Sequence, residues 1–228
     1  MYLSSGTLLI YFAILLIVPL WAQAKVKSTY SKYSKIATSS KMTGAQVARQ
    51  ILNDNGLFDV TVEETRGILS DHYDPRSKTV RLSTDNYHGY SMAASAVAAH
   101  EVGHAIQDAE NYAFLRFRSA LVPVANLGSN LSFFLIIVGL FLNMMNLAVV
   151  GLLFMAGAVL FQLVTLPVEF DASSRAMGQL VSGGYITNRE ERDTRKVLNA
   201  AAMTYVAAAL VAVMELIRFA LIVFANRE

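Results

Sequence analysis

Residues 119–168 read SALVPVANLGSNLSFFLIIVGLFLNMMNLAVVGLLFMAGAVLFQLVTLPV, fifty consecutive positions without Asp, Glu, Lys, Arg or His. A bilayer core takes roughly 20 apolar residues per helical span, so this run is long enough for two. The polar break Asn143-Met144-Met145-Asn146 near its middle places the spans at 126–142 and 147–166, and Pro167 marks the end of the second. Working outward, residues 1–24 carry none of the five charged types, and neither do residues 197–214, which continue apolar to Ala225. Each of these stretches fits one span. The chain has 54% hydrophobic and only 16% charged residues, against about a quarter charged in soluble domains. That composition excludes an ordinary soluble protein and predicts four transmembrane helices.

The positive residues orient these spans. Of 19 Lys and Arg, twelve lie between Lys25 and Arg118 and five between Arg175 and Lys196, while the Asn143 turn has none. By the positive-inside rule both charged segments face the cytoplasm and the N-terminus lies outside. Ala22-Gln23-Ala24 resembles a signal-peptidase site, but no basic segment precedes it and Lys25, Lys27, Lys32 and Lys35 follow at once. Those charges oppose translocation, so an uncleaved anchor is expected. The chain has no cysteine, which suits a cytoplasmic face without disulfides.

The charged segments read as one compact domain on the membrane face. Lys25–Ser40 reads as a polar connecting stalk. Thr43 is an N-cap for a helix whose Val47, Ile51 and Leu52 share a face, with Gly56 as its stop. Val60 and Val62 alternate with polar residues as in a short strand. Residues 68–83 predict a hairpin turning at Asp74-Pro75-Arg76-Ser77. A second helix starts near Ser91 and runs through five alanines into His100-Glu101-Val102-Gly103-His104. The fold class is therefore an α-helical membrane protein, mainly α with a small hairpin or sheet. Its expected parts are an anchor at 1–24, a membrane-facing domain with the His100–His104 helix at 25–118, a transmembrane hairpin at 119–168, a segment completing the site at 169–203 and a last span at 204–228.

The HExxH run carries the chemistry. On a helix His100 and His104 are four residues apart, so both imidazoles point from one face toward a common point, as two ligands of a tetrahedral Zn²⁺ require. Glu101 is rotated by about 100° from His100. It is poorly placed as a ligand, but its carboxylate can take a proton from a water on the metal. A solvated helix face explains the run badly, because the flanking alanines and Val102 look buried and a His-Glu-His triple in such surroundings needs a metal or partners. A catalytic zinc needs a third protein ligand and an open fourth position. The candidates are His72, His88, Asp108, Glu110, Glu169 and Asp171. The hairpin brings the chain back to the face it left and delivers residues 167–173 beside the motif helix, which favours Glu169. Tyr185, Tyr205, Arg175 and His88 are candidate oxyanion donors. The strand at 80–83 is a candidate sheet edge for an extended substrate.

The run His100-Glu-Val-Gly-His104-Ala-Ile-Gln-Asp108, preceded by Asp71-His-Tyr-Asp-Pro75 and Arg81-Leu-Ser83, resembles the YugP-type neutral zinc metallopeptidases of bacteria. The similarity continues through Leu166-Pro-Val-Glu-Phe-Asp-Ala-Ser173 and 198–207. These proteins are distantly similar to the HtpX-like and CAAX-prenyl membrane proteases, which share the gluzincin plan. The resemblance implies a membrane-bound endopeptidase with Zn²⁺ held by His100, His104 and Glu169, and Glu101 as the catalytic acid–base. The wider HtpX-like group has an Asp four residues after the ligand Glu, orienting a zinc histidine. Here that position is Ser173, with Asp171 two residues after the ligand and Asp108 one turn beyond His104 as other candidates for that task. The partners implied are a protein or peptide substrate near the membrane and the lipid bilayer, with no nucleic acid. Two alternatives remain: a zinc hydrolase of a non-peptide or lipid-linked substrate, and a scaffold in which zinc only staples the fold. Glu101 weighs against the scaffold, because a structural zinc needs four protein ligands and no general base.

Overall fold

The structure, a computed structural model, describes residues 5–225. Seven helices and three strands follow in the order α1 (Ser5–Tyr33), α2 (Gly44–Asp54), β1 (Thr61–Thr65), β2 (His72–Asp74), β3 (Thr79–Ser83), α3 (Thr84–His88), α4 (Met92–Ala109), α5 (Ala113–Phe141), α6 (Met145–Ser182) and α7 (Asn188–Ala225). Four of them, α1, α5, α6 and α7, are long and apolar enough to cross a membrane. The chain is thus mainly helical with one small sheet, as its composition and periodicity indicate. It divides into two compact units, one from Met1–Ala22, Arg116–Pro167 and Thr204–Glu228, the other from Gln23–Leu115 and Val168–Met203.

In the first unit α5 and α6 form a hairpin. Asn143 takes the left-handed conformation at φ 53° and the Met144 amide bonds back to the Gly139 carbonyl at 2.7 Å, which closes the end of α5. Asn tolerates that backbone better than other side chains, so the turn falls on the polar break. A Cβ at Gly151 would stand 2.8 Å from the Ser132 carbonyl oxygen and the Ile136 amide, so the two backbones meet where only hydrogen fits. Glu215 in this unit accepts twice: from Arg218 at 2.5 Å and from the Tyr11 hydroxyl at 2.8 Å. The Arg218 guanidinium lies 4.3 Å from the Phe219 ring centre.

The second unit packs helices and a sheet around one core. Thr43 caps α2 in a reciprocal capping box with Gln46, and Val47, Ala48, Ile51 and Leu52 are fully buried. Gly56 follows at φ 72°. Val80 and Leu82 of β3, together with Ala93, Ala96 and Val102 of α4, complete the same core. The sheet order is β1-β3-β2, with β3 parallel to β1 and antiparallel to β2.

Four features differ from the sequence expectations. The strand at 80–83 is not an edge: β3 is the central strand, and the free edges belong to β1 and β2. Alternation could not reveal this, because β1 enters by a parallel pairing that no hairpin signal encodes. Pro167 does not end a helix; α6 runs through it to Ser182. A proline removes a single backbone bond, which a long apolar helix tolerates when the turns on either side are regular. The polar stretch after residue 24, read only as a connecting stalk, continues helix α1 as far as Tyr33, since nothing between 25 and 33 breaks a helix already nucleated. Helices α5 and α6 therefore extend beyond the spans placed at 126–142 and 147–166.

Candidate metal centre

The centre grows from the buried face of α4. The Ser91 hydroxyl accepts from the Ala94 amide and starts the helix, and Ala93, Ala94, Ala96, Ala98 and Ala99 keep its surface thin. Thin surfaces let a neighbouring helix approach closely. Such an approach occurs at Gly103, where a Cβ would stand 2.6 Å from the Ala172 carbonyl oxygen of α6. That contact aligns the histidine turn of α4 with the turn of α6 that carries Glu169. Glu169, 2% exposed, directs Oε2 at His100 Nε2 (3.3 Å) and His104 Nε2 (3.6 Å). One ligand atom from each of the three residues lies within 4.8 Å of the others, a group able to hold a metal ion. With ligand bonds of about 2.0–2.1 Å, two ligands of a tetrahedral zinc stand roughly 3.4 Å apart, so the spacing suits Zn²⁺. The donor set suits it too, being two imidazoles and one buried carboxylate.

The outer nitrogens of both rings are occupied. His100 Nδ1 lies 3.2 Å from the Ser173 hydroxyl, and His104 Nδ1 lies 3.0 Å from Gln107 Oε1. The Gln107 amide nitrogen donates to the Val168 carbonyl and to Asp171, both at 2.8 Å. Asp171 also accepts from Arg175 Nε at 2.6 Å, and Arg175 reaches Glu110 at 2.6 Å. Asp171 therefore meets His104 through Gln107. Asp108 faces away and accepts from the Tyr73 hydroxyl of β2 at 3.0 Å. Gln107 was not among the residues the sequence singled out, although its position three residues after His104 puts it on the same face. Asp71 and Ser83, quoted above without a role, meet here: Asp71 accepts from the Ser83 amide (2.7 Å) and from Asn86 (3.0 Å) and joins the hairpin to α3.

Glu101 is 8% exposed and stands outside the three-ligand group. Burial pushes its carboxyl above the ordinary range; the charges of His100 and His104 oppose the rise, and Asp71 and Glu169 add to it. Burial disfavours charge on His104, but its hydrogen bond to Glu169 and the nearby Glu101 carboxylate outweigh that and hold the imidazole above its usual value. A cation at the shared point reverses both tendencies. The other residues considered as ligands lie elsewhere. His72 is exposed, with Nδ1 at 2.8 Å from the Ser70 carbonyl, His88 pairs with Glu64 at 3.2 Å, and Glu110 pairs with Arg175. Of the possible oxyanion donors, Tyr185 is bonded to Asp54 and Arg175 is held between two carboxylates.

A family model described as "Putative neutral zinc metallopeptidase" matches residues 8–224. The curated "Putative membrane protease YugP" of Bacillus subtilis (strain 168) is 52% identical over 208 residues, covering 91% of this chain and 92% of that protein. No solved structure matches the chain.

Proposed function

Because the chain belongs to the zinc metallopeptidase family whose model spans it, we propose that it is a membrane-embedded endopeptidase of the gluzincin kind. His100, His104 and Glu169 hold the zinc, and Glu101 is the catalytic acid–base. The single observation that carries this reading is the convergence of two Nε2 atoms and one buried carboxylate oxygen beside a fourth, non-ligating carboxyl. Zinc, when bound, supplies a Lewis acid that polarises the scissile carbonyl and acidifies water. Glu101 takes the proton of the attacking water and returns it to the leaving amine. The Ser173 hydroxyl meets His100 from behind, at Nδ1. The charged segments around 25–118 and 169–203 form the catalytic part, and the positive-inside rule puts that part in the cytoplasm with the N-terminus outside. The substrate is a protein or peptide near the bilayer.

The test is zinc content and peptide hydrolysis of the full chain in detergent, purified without affinity histidines. About one zinc per chain is expected for a three-ligand catalytic site. Glu169→Ala should lose or weaken that zinc. Glu101→Gln should keep it while turnover disappears. Hydrolysis surviving in Glu101→Gln overturns the mechanism, and zinc surviving in Glu169→Ala moves the third ligand.

A further inference from the structure

We propose that Gln107 is the positioning residue of the metal centre, setting the tautomer of His104 and locking the motif helix to the turn that bears Glu169. This rests on the zinc reading above and adds a residue that reading does not require.

The two ends of the Gln107 amide are distinguishable by their neighbours. The Val168 carbonyl and the Asp171 carboxylate, each 2.8 Å from one end of the Gln107 amide, can only accept. That end must be the NH₂, and both its hydrogens are then used. Its oxygen faces His104 Nδ1 at 3.0 Å and needs a donor there. His104 therefore carries a proton on Nδ1, which makes Nε2, the nitrogen facing Glu169, the one available to a metal. Gln107 is completely buried, so no water competes for any of these bonds. The amide is also tied to charge. Asp171 is pinned by Arg175 at 2.6 Å, and Arg175 by Glu110 at 2.6 Å. The familiar carboxylate–histidine–metal relay is thus present with an amide inserted between carboxylate and ring. Val168 directly precedes Glu169, so the same amide fixes the third ligand's turn. His100 has a different backing, the neutral Ser173 hydroxyl at 3.2 Å. The amide therefore supports one of the two rings more firmly than the hydroxyl supports the other.

The experiment compares zinc affinity, by competition with a chromogenic chelator, and the visible spectrum of the Co²⁺-loaded protein. The full chain is used as wild type, Gln107→Leu and the double variant Gln107→Glu with Asp171→Asn. Leucine fills the space without an acceptor. In the double variant the carboxylate introduced at position 107 accepts from His104 Nδ1, and the amide introduced at position 171 donates to that carboxylate. Both variants lose the bond to Val168, so they differ in the acceptor facing the ring. Gln107→Leu should weaken zinc by about tenfold to a hundredfold and shift the Co²⁺ bands. The double variant should recover most of that loss. Zinc binding by Gln107→Leu within about twofold of wild type, the ordinary scatter of such comparisons, overturns the proposal. So does a double variant as weak as Gln107→Leu. If Gln107→Leu does not fold, Gln107→Met takes its place under the same criteria. A wild-type chain that binds no zinc overturns the metal reading itself, an outcome distinct from a metal site indifferent to residue 107.

Discussion

A methyl group on residue 103 would overlap the Ala172 carbonyl, 2.6 Å from the Cβ position, with no flexible side chain able to move aside. The contact is backbone against Cβ, so Gly103→Ala must push α4 and α6 apart. Overpacking of this kind costs about 1–3 kcal/mol, so the melting temperature should fall and zinc affinity should fall with it. Unchanged zinc affinity would mean that the approach of the helices at Gly103 does not set the ligand spacing. Glu101 supports a second prediction at this scale. Its carboxyl is held above the ordinary value by burial, so folding of the metal-free protein favours the protonated form. That contribution is present below the unfolded carboxyl value, about 4.3, and is lost as pH rises through the folded one. Glu101→Gln is neutral at every pH. The metal-free variant should therefore melt higher than wild type near neutral pH, and the gap should close toward acid pH. Equal melting temperatures at neutral pH would show that the ionised carboxylate is well accommodated without metal.

At the scale of elements, α2 and α6 illustrate two ways a helix end is decided. Helix α2 begins at Thr43, legible in the sequence as an N-cap, and removing the Thr43 hydroxyl costs about 1 kcal/mol. Thr43→Ala should lower the thermal stability by that order and leave zinc affinity unchanged, because α2 contributes no ligand. A fall in affinity would tie the α2 cap to the centre. Helix α6 has 38 residues, about 57 Å at the helical rise, against a hydrocarbon core of roughly 30 Å. A helix that long has turns to spare beyond any span, and Glu169, Ser173 and Arg175 lie on its later turns. The proline that signalled an end was outweighed by the regular bonding on either side. The sheet shows the opposite limit. The β2–β3 hairpin was readable from its turn residues, but the parallel β1–β3 pairing depends on contacts between segments that no local pattern links.

For the whole molecule, the arrangement in the membrane is open to a direct test because the chain has no cysteine. Single cysteines at Asn143 and Arg76 can be read with a membrane-impermeant maleimide. The positive-inside rule predicts labelling of Asn143→Cys in intact cells and of Arg76→Cys only after permeabilisation. The reverse pattern would put the catalytic part outside. What the sequence determined alone was whatever depends on short-range order: the apolar runs, the turn at Asn143, the capped helices and the two histidines on one face. Helix periodicity also turned Glu101 about 100° from His100 without further information. Glu169 was favoured by chain return and by resemblance, but which carboxylate meets the histidines depends on the approach of α4 and α6 at Gly103. The role of Gln107 was equally out of reach. An amide reads as polar filler until Val168 and Asp171 stand beside it, and only packing between helices distant in sequence brings those three groups together.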